Sequence, residues 1–352
     1  MNFKKMVVFL LAFSLMFSQT AMFALADEIE VLDTEQAAVE NEQTAADEAE
    51  NNAENDFALS DYETNDEENG GETAGTAVAE INGTQYSILA DAFANVKNGE
   101  TITLLDDCAG NGIIVPSGSN FTVDFAGHTY TVNGNVLAGS AGYETQGFQL
   151  LKDSTIVFKN GTINNESALM LIQNYSNLTL QDMVIDARNS QKNCQYAMSN
   201  NNGNVKITGN TSIYAQEGGF AFDVYACFGD YEKVNVTVDT TGEIVGNIQI
   251  GKGSSTTADE TKSSLTIKNV NLKGGIARDG VNNIPVAISG GTFTNGFDRA
   301  FLADGFNLVK NADGQFVVAD AEFIKIGDTK YSSFQAAVDA VEDGGTIELT
   351  AD

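Results

Sequence analysis

Three charged residues in the segment LQDMVIDARN have the types and spacing of a site that cleaves polysaccharides. Asp182, Asp186 and Arg188 all fall within this short stretch. Two carboxyl groups can act as acid and base on either side of a glycosidic bond, and carboxylates that hold Ca²⁺ can work beside an arginine or lysine base. These three residues are therefore the candidate catalytic residues, for either a lyase or a hydrolase.

The position of Asp182 also has a simpler interpretation. Other repeats of the chain place Asn160 and Asn269 at the equivalent point, directly after a short apolar strand pattern. Asn and Asp are favoured in tight turns because their side chains bond the local backbone and tolerate left-handed conformations. This pattern favours a turn-forming role for Asp182 over a catalytic one. We expect a non-enzymatic protein and keep the enzyme as the alternative.

A group of aromatic residues forms the second candidate site. They lie in the segment YAQEGGFAFDVYACFGDY, and a further tyrosine lies in the loop GSAGYETQGFQ. Aromatic rings beside polar groups suit the binding of sugars or proteins, whereas the alternative is that the same rings fill a wide part of the core. The candidate binding residues are Phe220, Phe222, Tyr225, Phe228, Tyr231 and Tyr143.

The charge balance excludes one class of partner. The formal net charge is −31, from 49 acidic and 18 basic residues. Nucleic-acid binding needs clustered Lys and Arg, so we expect none. His128 is the only histidine, and no C-x₂-C spacing occurs, so we expect no zinc site and no cofactor. Ca²⁺ at surface carboxylates stays possible, although no D-x-[DN]-x-[DN]-G loop is present.

The N-terminal segments indicate export. Residues 1–26 combine two lysines, an apolar stretch and an A-x-A site, which is typical of a cleaved signal peptide. Residues 27–75 are strongly acidic and poor in large apolar groups, so we expect a disordered linker. No later segment is apolar for long enough to span a membrane. The mature chain is expected to be extracellular, either secreted or attached to the cell surface, with Cys108, Cys194 and Cys227 as structural thiols.

One internal repeat is clear. Residues 81–107 align without gaps on residues 326–352, and each copy predicts a strand, a helix and a second strand. In the first copy the helix is predicted over 88–98, with Ser87 as its N-cap. The second copy is expected to begin a further repeat that is truncated here.

A looser repeat fills the region between these copies. Each rung has two apolar residues two positions apart, followed by a turn residue, at intervals of about 20 to 30 residues, which favours a solenoid over a sandwich of hairpins. The fold class is therefore all-β, a parallel β-helix in which inward-facing apolar columns stack. The predicted rungs begin at Ile102, Val123, Ile156, Leu178, Val205, Val236, Leu265 and Val286.

The stretch AEINGTQYSILADAFANVKNGETITLLDD, followed by VDFAGHTYTV, resembles a repeat unit of secreted and cell-surface proteins of bacteria, many of them from the gut. The segment ISGGTFTNGFDRAFLADGFNLVKNADGQFVV resembles the closing segment of the same proteins. In that family a capping helix precedes a right-handed parallel β-helix of the pectate-lyase-like type. The resemblance implies surface display and adhesion or glycan contact, and it supplies no catalytic residues. The G-D-D and R-x-K motifs of polygalacturonases are not found.

The sequence thus predicts four segments: a signal peptide (1–26), an acidic linker (27–75), a parallel β-helix domain with an N-terminal helical cap (76–320) and a second cap-type unit (321–352). The expected function is adhesion or binding of a polysaccharide or a host or cell-surface protein. The alternatives are a polysaccharide lyase or glycoside hydrolase, and a structural spacer within a longer surface protein.

Overall fold

The structure is a computed structural model, and it describes residues 76–136, 145–227, 231–253, 259–321, 324–331 and 334–349. The predicted signal peptide and acidic linker lie outside these residues, as do Tyr143 and Phe228 from the candidate binding group. No helix in the described ranges is long and apolar enough to cross a membrane.

Most of the described residues are in β-strands. The first strands are β1 (Ala79–Ile81), β2 (Thr84–Tyr86), β3 (Thr101–Leu104), β4 (Cys108–Gly110), β5 (Ile113–Val115), β6 (Asn120–Asp124), β7 (Thr129–Val132), β8 (Gln146–Leu150) and β9 (Thr155–Asn165). The middle strands are β10 (Met170–Asn174), β11 (Asn177–Asp186), β12 (Tyr196–Asn200), β13 (Gly203–Gly209), β14 (Ser212–Tyr214), β15 (Phe220–Ala226), β16 (Val234–Val245) and β17 (Asn247–Lys252). The last strands are β18 (Ser264–Lys273), β19 (Ile276–Arg278), β20 (Val286–Ile288), β21 (Thr292–Phe293), β22 (Phe306–Lys310), β23 (Phe316–Asp320), β24 (Ile324–Ile326), β25 (Thr329–Tyr331) and β26 (Glu348–Leu349).

The helices of the described chain are short. They are α1 (Leu89–Asn95), α2 (Phe334–Ala340) and two 3₁₀ turns at Glu260–Lys262 and Arg299–Phe301. Helix α1 is shorter than the predicted range 88–98, and Ser87 is not its N-cap. That position is Ile88, whose side chain makes no capping hydrogen bond. The spacing of apolar residues predicted the helix correctly. Its N-cap lies one residue after Ser87, the residue that the sequence predicted for this role.

Two large, mostly parallel sheets dominate the described part of the chain. One has sixteen strands with the main order β2-β1-β3-β6-β9-β11-β13-β16-β18-β21-β23-β22, and the other has seven strands in the order β19-β17-β15-β12-β10-β8-β5. From β8 to β18, the chain passes alternately through the seven-stranded and the sixteen-stranded sheet. The apolar side chains of both sheets meet in one buried core.

The predicted stacking register is confirmed for the last six rungs. Ile156 pairs with Leu178, Leu178 with Val205, and the series continues in parallel register. The remaining pairs are Val205 with Val236, Val236 with Leu265 and Leu265 with Val286. Alternating apolar residues fix this register because a one-residue slip would turn every one of them to the opposite face.

The register predicted between the second and third rungs is wrong by two residues. Ile102 pairs with Val123 as expected, but Val123 pairs with Phe158 and not with Ile156. The cause is a longer corner: Ala126 and Gly127 both take positive φ angles, 51° and 91°, before the chain rejoins the sheet. Both residue types occur in turns, so the pattern did not reveal where the extra residues belonged.

Four of the eight predicted turn residues adopt a left-handed conformation. Asn160, Asp182 and Gly209 have φ angles of 59°, 54° and 66°, and Gly127 has 91°, in the region that Asn, Asp and Gly tolerate best. Asp106, Asn269 and Gly290 do not take positive φ angles, and neither does Thr240. It is buried, and its hydroxyl donates to the carbonyl oxygen of Thr211 at 2.8 Å, so the corner is held by a side-chain hydrogen bond.

The two copies of the strand–helix–strand repeat fold alike. We call β1, β2, α1 and β3 the first unit (79–104), and β24, β25, α2 and β26 the second unit (324–349). In the first, Ala79 pairs with Tyr86 and Leu104, and in the second Ile324 pairs with Tyr331 and Leu349. Each unit therefore contains an antiparallel hairpin whose first strand also pairs with the strand that follows the helix.

Candidate functional site

The structure joins two of the three candidate catalytic residues and separates the third. Arg188 donates from Nε to Asp186 Oδ1 at 2.9 Å and from a terminal nitrogen to Asp186 Oδ2 at 2.6 Å. Asp182 lies at the corner of β11, where its Oδ1 accepts the backbone N–H of Asn210 at 2.8 Å. Asp182 thus makes the contacts expected of a turn residue.

Asp186 and Arg188 bind each other, and Arg188 also contacts an aromatic ring. The Arg188 guanidinium lies 4.0 Å from the ring centroid of Tyr214, and its hydrogen bond with Asp186 raises the pKa of the arginine. An arginine base must lose its proton, which this ion pair opposes.

The candidate aromatic residues divide between the core and a partly open surface. Phe222 is fully buried in the core, in agreement with the alternative that was left open for the whole group. Phe220, Tyr225 and Tyr231 are half-buried. The sequence could not separate these residues, because a shift in register between Phe220 and Phe222 changes the alternation within β15.

The half-buried rings stack on neighbours from adjacent strands. Phe220 lies against Tyr196 with ring centroids 5.1 Å apart, and Tyr231 lies against Tyr175 at 4.8 Å. The ammonium group of Lys152 is 5.8 Å from the Tyr231 centroid. Two stacked pairs therefore border the seven-stranded sheet, one near the start of its strands and one near their ends.

Between these pairs runs a line of polar side chains, which we call the polar column. It contains Gln149, Gln173, Ser199, Asp223 and Gln249, one from each of five neighbouring strands. Gln149 Nε2 donates to Gln173 Oε1 at 3.3 Å, and Ser199 Oγ donates to Asp223 Oδ2 at 2.8 Å. Consecutive members lie 24 to 26 residues apart in the chain.

Asp223 is the most perturbed acid of the described chain. Its side chain is 3% exposed, and Oδ1 accepts the backbone N–H of Asn200 at 2.6 Å. Burial raises the pKa of this carboxyl from 3.8 to about 7, against the opposing effect of its hydrogen bonds. The loss of solvation raises the pKa of Asp223 by more than the hydrogen bonds from Ser199 and the Asn200 backbone lower it. The carboxyl can therefore exchange a proton near neutral pH.

Two tyrosines, Tyr196 and Tyr225, interact with the charge of this acid. Tyr196 Oη donates to Gln249 Oε1 at 2.7 Å, and Gln173 Nε2 donates to Tyr175 Oη at 2.7 Å. Burial raises the pKa of Tyr196 and Tyr225, and the charges of Asp223 and Asp279 raise both further. Gln173, Gln249 and both tyrosines are half-buried and can offer amide and hydroxyl groups along one sheet, whereas Gln149, Ser199 and Asp223 are buried.

The polar column was missed at the sequence level, although a signal existed. Each member stands between buried residues in a short strand, as in GFQLL, LIQNY and NIQIG. A search for polar residues at a regular interval would have found Gln149, Gln173 and Gln249. No local pattern shows that these strands lie side by side, since the column depends on parallel pairing of strands that are distant in the chain.

The histidine and two of the three cysteines were the other residues with possible chemical roles, and neither type forms a site with its neighbours in the described part of the chain. Among the described residues, no group of three His, Cys, Asp or Glu side chains could hold a metal ion. His128 Nδ1 lies 3.4 Å from Asp107 Oδ1. Cys194 is buried and Cys108 half-buried, and burial raises the pKa of each thiol to about 11, which keeps both protonated and unreactive.

Comparison with known proteins identifies no relative of this chain: no protein-family model, no curated protein and no solved structure matches it.

Proposed function

We propose that the chain is an extracellular β-solenoid module that binds glycans through the polar column and the tyrosines beside it. The observation that carries this proposal is the convergence of three amide side chains, a serine and a titratable carboxyl between two stacked aromatic pairs. Amides and carboxyls bond sugar hydroxyls with defined geometry, and aromatic carbon contacts the apolar faces of sugar rings.

The solenoid part of the proposal is supported by strand order and register. Between β8 and β18 the chain crosses repeatedly from one large sheet to the other, and the strands of this region pair in parallel with strands about 20 to 30 residues further along. We infer a right-handed winding, because about 98% of parallel crossover connections have that hand. Helix α1 would be the cap of this winding, since Phe93 packs against Phe121 and Phe148 with ring centroids 5.7 and 6.1 Å apart.

The charges near the column favour uncharged glycans over polyuronates. Asp223 and Asp279 both act on the Tyr196 hydroxyl, and the chain as a whole is strongly acidic. Arg278, on the last strand of the same sheet, is held by Asn282 Oδ1 at 2.6 Å and by the carbonyl of Ile284 at 2.9 Å. An anionic polysaccharide would meet like charge at this surface.

A glycan array with the full chain tests the proposal. The double variant Gln173→Ala with Gln249→Ala removes two amides of the column, and we expect glycan binding to fall by about tenfold or more, because each lost hydrogen bond weakens binding by about 1 kcal/mol. The matched control is Asn204→Ala with Asn235→Ala, which removes two amides from the sixteen-stranded sheet. Equal binding by both variants, or no glycan bound by the wild-type chain, would contradict the proposal.

A second candidate function is glycoside cleavage, favoured by the raised pKa of Asp223 alone. A carboxyl that titrates near pH 7 can act as a general acid. Incubation of the chain with neutral polysaccharides and with pectins tests this. Product release that Asp223→Asn abolishes would favour an enzyme, and no release from any substrate would exclude this role.

A further inference from the structure

Three polar side chains of the seven-stranded sheet surround one glycine of β17. Tyr225 of β15 pairs with Gly251, and Gln249 lies two residues before Gly251 on the same side of β17. Asp279 directly follows β19, and its backbone N–H donates to the carbonyl oxygen of Ile250. Tyr225 and Asp279 therefore flank Gly251 from the two neighbouring strands, and Gln249 lies next to it along its own strand.

Gly251 is buried, and its backbone conformation does not require a glycine. Its φ angle lies outside the left-handed region that favours this residue. A Cβ atom at this position would lie 3.0 Å from Cδ2 and 3.2 Å from Cε2 of Tyr225, and 3.3 Å from Cβ of Asp279. Glycine weakens a strand, and it often marks a place where another group approaches the backbone closely. Here that group is the Tyr225 ring.

The polar groups around Gly251 have hydrogen-bonding capacity that the described chain does not use. Gln249 Oε1 accepts the Tyr196 hydroxyl at 2.7 Å, whereas Gln249 Nε2 has no acceptor among the described residues. The carboxylate of Asp279 is exposed and accepts no hydrogen bond from a described residue. The Tyr225 ring is half-buried, so part of it is open to solvent. Amide donors, carboxylate acceptors and aromatic carbon thus meet at one point of the surface.

These groups define the chemistry of a ligand. It accepts a hydrogen bond from Gln249, donates one to Asp279 and presents an apolar face to the Tyr225 ring. A hydroxyl group both donates and accepts, and a sugar ring carries several hydroxyls around an apolar C–H face. A simple cation would satisfy Asp279 but leave Gln249 Nε2 without an acceptor, and a sugar carboxylate would meet the negative charge of Asp279. A neutral sugar satisfies all three groups.

We propose that Tyr225, Gln249 and Asp279 form a subsite for one neutral sugar ring, and that Gly251 positions the Tyr225 ring beside it. The inference rests on the proposed function and narrows it to one place on the seven-stranded sheet. The sugar contacts the open part of the ring, its hydroxyls donate to the Asp279 carboxylate, and one of them accepts from Gln249. Gly251 does not touch the sugar and acts only by leaving room for the ring.

Substitution of Gly251 tests the positioning role. The full chain is applied to an array of neutral cello-, malto-, manno- and galacto-oligosaccharides, and its affinity for those that bind is measured by titration. We expect Gly251→Ala to weaken binding by about fivefold or more, because the added Cβ displaces the ring that the sugar contacts. The matched control is Gly275→Ala, directly before β19, where the added Cβ would meet only Asn247 Oδ1 at 3.4 Å. It should leave the affinity unchanged.

Asp279→Ala gives a second measurement that does not depend on the packing of Gly251. Asp279 is exposed, so its truncation should leave the melting temperature unchanged. We expect the same oligosaccharides to bind about tenfold more weakly, because hydrogen bonds to a charged group are lost. The control is Asp239→Ala, which removes an exposed carboxyl from the sixteen-stranded sheet and should bind like the wild type.

The outcomes distinguish the subsite from the proposed function. If the wild-type chain binds neutral oligosaccharides and Asp279→Ala binds them as tightly as Asp239→Ala, the subsite is wrong and glycan binding by the rest of the polar column stands. The same conclusion follows if a folded Gly251→Ala chain binds as tightly as Gly275→Ala. If the wild-type chain binds none of these oligosaccharides, both proposals are wrong. If Gly251→Ala does not fold, Asp279→Ala decides.

Discussion

The first and second units share a register, a hairpin and a seven-residue helix, yet only one has a buried apolar face. In the first unit the helix and β3 contact the large sheets, and their leucine and phenylalanine side chains join the main core. In the second, the equivalent side chains of α2 and β26 remain in contact with solvent. The same local sequence pattern thus gives the same local fold in two different environments.

This comparison separates the forces that form a unit from those that stabilise it. The second unit contains the pairing of Ile324 with Tyr331 and Leu349 and the burial of Ile324 and Ala337. Burial of a large apolar side chain contributes about 1.5 to 3 kcal/mol more, and this contribution is available only where neighbouring strands cover the unit. We therefore expect the second unit to open more readily than the first.

The largest expected difference in stability is between equivalent leucine substitutions in the two units. Leu104→Ala should lower the free energy of unfolding by about 2 to 5 kcal/mol, because it leaves a cavity in the core. Leu349→Ala should change it by less than about 0.5 kcal/mol, because this leucine is exposed. Urea unfolding followed by circular dichroism measures both, and similar losses for the two variants would break the comparison.

The strands between the units should carry a pH dependence that comes from Asp223. The pKa of Asp223 is about 7 in the folded chain and 3.8 ordinarily, so between these pH values the folded chain keeps a proton that the unfolded chain releases. The free energy of unfolding should therefore fall as the pH rises from about 4 to about 7.

Asp223→Asn should remove most of this slope, and thermal melts across the same pH range measure it. The control is Asp279→Asn, which removes an exposed carboxyl that follows β19, and an equal loss of slope in both variants would contradict the assignment. Hydrogen exchange adds a local measure, because the change should be concentrated in β12 and β15, which contain Ser199 and Asp223. A wild-type slope in the Asp223 variant would contradict the assignment.

The smallest expected effect concerns a contact found in one unit only. Lys325 Nζ lies 3.1 Å from Glu348 Oε2 in the second unit, and the first unit has Glu80 and Thr103 at these positions. Both side chains of the pair are exposed enough for water to screen the charges, so Glu348→Ala should cost less than about 1 kcal/mol. A larger loss in the melting of the second unit would mean that this ion pair, and not the hairpin, holds it together.

Much of the fold followed from patterns in the sequence. The alternation of apolar residues gave the register from Ile156 to Val286, because each rung has one face in the core and a slip would expose it. The longer corner at Ala126 and Gly127 was not predicted, since turn residues mark a corner without stating its length. The candidate site was predicted only in part: Phe220, Tyr225 and Tyr231 border the polar column, whereas Phe222 is core and the column itself was missed.

The sequence by itself determined the strands, the corners and both helical units, because these depend on the alternation of side chains and on backbone conformations within a few residues. Tertiary structure alone decided which polar residues meet and which apolar residues are covered. Asp223 and Gln249 are 26 residues apart and become neighbours only through parallel pairing. Leu104 and Leu349 have equivalent places in the repeat, and their burial differs because solvent exclusion depends on what packs against a unit and not on its own residues.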